Sequence, residues 1–374
     1  MQVTVTGGQG HSPAVLSFDA NDLALLEGKT LAASIDDTYT SAIYYNPTTP
    51  PTGPAGAYLI IPTAYATNII NATGFGAIVD ENNGVGSTIT GGGYAGGQTV
   101  LAGDGGLTFS ASVGAVTVVA GGGSNFVSFA GDTSAVAVYT STGNDIIVGG
   151  DGETTIAAGG GHNTITLGRG TSYVSSTGAD TISLAAGGND TISVSGAGSD
   201  QISGNAIQGA DLTFYNGDRS SSVTVGAGSG TIYGGVGGGK FIGGTSGDNS
   251  IVAGSGTAKI YGGGTGDTLL GGSGAATIFA STGNETLGAG TGSVLFDLAI
   301  NNPKGTTGAG VTDTITNFSS LDLLNVGGPK GTSLALHSYE IVGGSGTFML
   351  QDGAQVVLTG YTGTLTAADF TLKT

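Results

Sequence analysis

Apolar side chains recur along most of this chain at a nearly fixed interval. Ile251, Ile260, Leu269, Ile278 and Leu287 stand nine residues apart, separated by glycine-rich polar stretches. Val100, Phe109, Val118 and Val127 keep the same interval, as do Val138, Ile147, Ile156, Ile165 and Val174. Ile182, Ile192, Ile202, Leu212 and Val223 follow more loosely, at eight to eleven, before Ile232, Ile242 and Ile251 restore the beat. Neither a helix nor a single long strand has this period. A short strand with one inward aliphatic residue, followed by a tight turn, does.

The pattern predicts an all-β fold, a right-handed parallel β-solenoid in which two nine-residue units make one coil. Residues eighteen apart then lie above one another. Counting two residues back from the inward positions gives Asn249, Ala258, Asp267, Ala276 and Glu285. Carbonyl-bearing side chains alternate with alanine, so one edge of the coil is expected to be polar and the other apolar. Glycine suits turns that demand positive φ or close backbone approach.

The array is expected over residues 87–297, with a different unit at each end. Within 1–86, "SFDANDLALLEGKTLAASIDD" sets Asp or Asn before the cluster Leu23, Leu25, Leu26 and Leu31, which reads as a helix with Gly28 as its stop. "NPTTPPTGPAG" reads as a loop, and "AYLIIPTAYATNII" and "FGAIVD" as strands. This region is expected to be a small α+β or mostly β unit, an assembly or binding head. Residues 298–374 are expected to form a β cap.

Composition narrows the class. Glycine supplies 76 of 374 residues, but 8 prolines and no triplet period exclude collagen, and 38% hydrophobic residues argue against disorder. Acids outnumber bases 26 to 8, for a net charge of −18. That balance disfavours nucleic acid and anionic lipid as partners, and suits either cation binding or solubility of an extended array. There is no cysteine. The first residues lack a basic segment followed by an apolar one, so no N-terminal signal peptide is expected, and no apolar run approaches a membrane span.

"TSTGNDIIVGGDGETTIAAGGGHNTITLGRG" (140–170) resembles the calcium-binding nonapeptide repeats of RTX proteins, G-G-x-G-x-D-x-U-x. Gly143, Asp145 and Ile147 match one unit, and Gly149, Gly150, Gly152 and Ile156 the next, where Thr154 replaces the aspartate. Threonine, asparagine, serine or alanine often stands where that pattern has aspartate. The resemblance implies a β-roll with Ca²⁺ between stacked turns. With the eighteen-residue alternation, the expected ligands are Asp145, Asp151, Asp180, Asp190, Asp200, Asn249, Asp267 and Glu285. "VTDTITNFSSLDLLNV" (311–326) resembles the segment closing the rolls of serralysin-like C-terminal domains, and "GYTGTLTAADFTLKT" the tail of type I secretion substrates. These imply an extracellular, cell-surface protein that uses the type I secretion apparatus.

Catalytic constellations are absent from the sequence. There is no H-E-x-x-H, and His11, His162 and His337 are far apart. "GGVGGGKF" mimics a phosphate loop but puts Phe241 where Ser or Thr is needed. Arg169, Arg219, Lys240 and Lys259 are read as lacking acids on matching rungs, which argues against a polysaccharide-cleaving site. Thr155, Thr164, Thr191, Thr268, Thr277 and Thr286 precede inward residues and read as a solvated strand face. The expected function is therefore a non-enzymatic secreted protein that self-assembles as an S-layer, filament or biofilm matrix. An adhesin for cell-surface polysaccharide or host glycan is the alternative, and a polysaccharide-modifying enzyme a more remote one.

Overall fold

The computed structural model describes residues 1–6, 12–18, 23–48, 57–65, 69–196, 198–205, 207, 209–281, 283–298, 310–326, 336–350 and 353–371. His11 and residues 49–56 of the proline-rich segment lie outside them. The chain divides into two compact units, Met1–Ile192 and Ser193–Thr374. Both are parallel β-solenoids, so the fold class read from the nine-residue beat is correct. Among the described residues, no helix is long and apolar enough to cross a membrane.

In the first unit, one parallel ladder runs through Ser41–Tyr44, Ala57–Ile61, Ala77–Asp80, Gln98–Ala102, Val116–Ala120, Val136–Thr140, Thr154–Ala158 and Ser172–Ser176. A second runs through Ile69–Asn71, Ser87–Thr90, Leu107–Ser110, Phe126–Ser128, Ile146–Val148, Thr164–Thr166 and Thr181–Ser183. Alternate apolar positions fall on alternate ladders: Val100 pairs with Val118, and Phe109 with Val127. The strands of 57–80, assigned above to a separate N-terminal unit, are rungs of the same ladders, so residue 86 is not a boundary of the stack.

What is distinct about the N-terminus is a hairpin and a helix. Gln2–Val5 pairs antiparallel with Ala14–Ser17, and the helix runs from Leu23 to Thr38. Gly28 does not stop the helix. It lies inside, where an added Cβ would stand 3.4 Å from Phe18 and 3.6 Å from Val119 and Val3. The buried helix residues are Ala24, Leu25, Ala32 and Ile35, whereas Leu23 and Leu26 are exposed. Hairpin and helix pack on Val79, Leu101 and Val119, the outward apolar file of the first ladder. They cover a face of the stack rather than its end.

In the second unit, one ladder runs through Gln201–Ser203, Ser221–Thr224, Gly239–Ile242, Ala258–Tyr261, Ala276–Phe279, Val294–Asp297, Leu323–Asn325 and Phe370–Thr371. The other runs through Asp211–Tyr215, Gly230–Tyr233, Ser250–Val252, Thr268–Leu270, Thr286–Gly288, Thr312–Thr316 and Gln355–Thr359. Ile251 pairs with Leu269 and Leu269 with Leu287, the eighteen-residue register expected. Two inward positions differ from the sequence reading. Phe214 and Phe241, not Leu212 and Ile242, align with Ile232 and Ile260. The ladders also continue past residue 297, where Ile315 stacks on Leu287 and Leu358 on Ile315. Only then do Ser345–Leu350 and Leu336–Val342 add antiparallel strands.

The turns explain the glycine. A Cβ on Gly272 would stand 1.8 Å from the carbonyl oxygen of Gly254, one coil away, and a Cβ on Gly161 1.8 Å from that of Gly143. Gly161 also needs its φ of +108°. At Gly272 the demand comes from turn-on-turn stacking alone.

Candidate functional site

Seven of the eight expected ligands occupy one structural position. Asp145, Asp180, Asp190, Asp200, Asn249, Asp267 and Glu285 each lie two residues before an inward apolar side chain, and none is more than 3% exposed. Asp151 is the exception: it is exposed in a turn, and its Oδ1 accepts the N–H of Arg169 at 3.1 Å.

In the first unit these buried residues form a hydrogen-bonded file. The N–H of Leu107 donates to Asn125 Oδ1 at 2.9 Å, that of Asn125 to Asp145 Oδ1 at 2.8 Å, that of Asp145 to Asn163 Oδ1 at 3.0 Å, and that of Asn163 to Asp180 Oδ1 at 2.9 Å. Asn125 Nδ2 adds a second bond to Asp145 Oδ1 at 2.9 Å. Asparagine and aspartate alternate, so each pair of carboxylates is separated by a neutral amide. The asparagines, which the sequence reading treated as departures from an aspartate pattern, prevent like charges from meeting on adjacent rungs.

The second unit builds the same file with a different outcome. Gly230 N–H donates to Asn249 Oδ1 at 2.8 Å, and the N–H and Nδ2 of Asn249 donate to Asp267 Oδ1 at 2.9 and 2.8 Å. Beyond Asp267 come Glu285 and Asp313, with no amide between; Glu285 N–H donates to Asp313 Oδ1 at 3.2 Å. Burial pushes the Glu285 carboxyl up to about 9, and the charges of Asp313 and Asp267 add to the rise against the Ser281 N–H. Glu285 is thus protonated at neutral pH. Ser281 Oγ, which bonds the Gly264 carbonyl at 2.8 Å and also contacts Glu285 Oε1, completes the arrangement. A proton does at Glu285 what asparagine does at Asn163.

Asp200 has an internal cation. Arg219 Nη1 lies 3.3 Å from Asp200 Oδ1, with the two side chains 2% and 0% exposed. The reading of Arg219 as lacking a matching acid is therefore corrected. His162, as expected, is exposed in a turn, with its N–H donating to Asn144 Oδ1 at 2.9 Å.

Calcium requires several oxygens converging on one point. Among the described residues, no three His, Cys, Asp or Glu side chains are placed to hold a metal together. In the file, one oxygen of Asp145 and both oxygens of Asp267 are taken by N–H donors. Buried oxygens without a hydrogen-bond partner remain at Asp145 Oδ2, at Asp132 Oδ2, and at both carboxylate oxygens of Asp190 and of Asp80. The hydroxyl of Ser172 lies beside Asp190 and that of Ser87 beside Asp80. Burial lifts Asp190 to about 6 and Asp80 to about 7. What the described residues offer is single buried carboxylates, each beside one hydroxyl, and not a cage of carboxylates. Sequence reasoning missed Asp80, which closes an apolar strand outside the repeat pattern.

Compared with family models and with curated proteins, the chain matches none.

Proposed function

We propose that this is a non-enzymatic extracellular protein, exported by a type I apparatus, whose copies assemble at a bacterial surface as an S-layer, filament or matrix. The observation that carries the reading is an open strand edge. Among the described residues, Ile69–Asn71 pairs on one side only, with Ser87–Thr90, and Ile69 is 81% exposed. An uncharged edge offers its free N–H and C=O groups to another chain, and here it is three residues long. Electron microscopy and light scattering of the purified protein, with and without calcium, test it. Ordered assemblies are expected, and a strictly monomeric protein in both conditions would sink the reading.

Calcium enters this proposal as a stabiliser of the stack. Support comes from the buried carboxylate of Asp190, whose ionised form has no cation paired with it among the described residues and is favoured only by Ser172, not enough to offset its burial. Chelation should lower the melting temperature of the wild-type protein. Asp190→Asn should abolish that response. Asp267→Ala should instead destabilise with calcium or without, by about 3 kcal/mol, because it strands N–H donors of Asn249 and Gly263. A wild-type melting temperature indifferent to chelation refutes the calcium role.

A further inference from the structure

The outer face of Ser221–Thr224, Gly239–Ile242, Ala258–Tyr261 and Ala276–Phe279 carries something the stack does not need. Ser222, Lys240, Lys259 and Thr277 occupy one outward file in direct register. Neighbouring rungs are about 4.8 Å apart, and like charges facing each other at that spacing destabilise a sheet. The chain has only 8 basic residues against 26 acids, yet two of those bases sit side by side. Among the described residues no carboxylate lies within ion-pair distance of either lysine, the ion pair found there being Arg219–Asp200. Both lysines are exposed.

The adjacent outward file is Thr224, Ile242, Tyr261 and Phe279. The rings of Tyr261 and Phe279 stack with centroids 4.2 Å apart and planes 2° from parallel. Lys240 Nζ lies 5.5 Å from the Tyr261 centroid, which holds the ammonium against the aromatic wall. Asp297 follows Phe279 in that file, but it is buried and accepts a hydrogen bond from Asn325 Nδ2.

We propose that this face binds an acidic polysaccharide, with Lys240 and Lys259 taking its carboxylates and Ser222 and Thr277 its hydroxyls. The donor file spans four rungs, about 14 Å. That is longer than one small anion can occupy and suits a polymer lying along the stack. The apolar file beside it offers a wall for the C–H faces of sugar rings. Charge complementarity is local, since a net charge of −18 repels a densely charged polyanion such as nucleic acid. Two lysines among neutral donors match the sparser charge of a uronate chain. The inference does not rest on self-assembly, because binding is read on dispersed protein.

The test uses the full chain in chelator, titrated with polygalacturonate and, separately, with dextran of equal length. Polygalacturonate is expected to bind with an affinity that falls as salt rises, and dextran not to bind. The double variant Lys240→Gln/Lys259→Gln should lose about three- to thirty-fold in affinity at an unchanged melting temperature. Lys240→Arg/Lys259→Arg should retain binding, and Lys29→Gln, on the helix, should leave it untouched. Equal binding of dextran, or unchanged affinity in the Gln double variant, overturns the proposal. So does full competition by galacturonic acid monomer or inorganic phosphate at equal charge, or tighter binding of single-stranded DNA.

Discussion

Glu285 and Asn163 solve one problem in two ways: how to stack carbonyl oxygens on successive rungs without stacking charge. The folded Glu285 carboxyl titrates at about 9, against about 4.5 when free. Folding therefore takes up a proton between those values, and stability falls as pH rises through that window, by up to about 1.4 kcal/mol per pH unit. Glu285→Gln keeps the acceptor for the Ser281 N–H and removes the titration. Urea denaturation at pH 5 and pH 8 should show a smaller pH dependence in the variant than in the wild type. Asn163→Asp is the converse experiment. It sets three carboxylates on consecutive rungs between Asp145 and Asp180, and should destabilise by about 1–3 kcal/mol at pH 7, with recovery on acidification.

At the scale of elements, the helix Leu23–Thr38 is held by what Gly28 leaves room for. Its nearest neighbours stand at ordinary contact distance from an added methyl group. Gly28→Ala should therefore stabilise, by up to about 1 kcal/mol of helix propensity. Gly28→Leu should overpack against Phe18 and Val119 and destabilise by about 1–3 kcal/mol. Thermal melts of the two variants check the opposite signs. The rungs were legible because one inward residue per strand sets the period, and the eighteen-residue register because asparagine and acid alternate with alanine across it. The helix was legible, but Gly28 was misread, since stop and close contact look alike until the packed face is known. Phe214 and Phe241 were passed over because each has aliphatic or aromatic neighbours on its own strand, and only cross-rung pairing selects the inward one. At the candidate site, acids could be found by spacing, but whether an oxygen meets an N–H, Arg219 or nothing depends on the neighbouring coil.

For the molecule as a whole, the buried acids act in one direction. Asp80, Asp190 and Glu285 all titrate above their ordinary range through burial, to about 7, 6 and 9, and Asp145 is raised as well. Each favours the folded state at acid pH and ceases to do so as pH climbs through its folded value. Repulsion from a net charge of −18 works the same way. In chelator, the melting temperature should be higher at pH 5 than at pH 8, by calorimetry. Added calcium, which favours ionised carboxylates, should raise it more at pH 8 than at pH 5. The file of Asn125, Asp145, Asn163 and Asp180 has one further property: its bonds from backbone N–H to side chain all point the same way. Each backbone N–H reaches for a side chain on the coil that follows it in the chain, and so does that of Asn249 toward Asp267. The backbone carbonyls of Asn125, Asp145 and Asn163 in turn accept the N–H groups of Ile146, Thr164 and Thr181 on the coil that follows. Each coil is thus completed only between two neighbours, and a change at one of these residues reaches the coils on both sides of it.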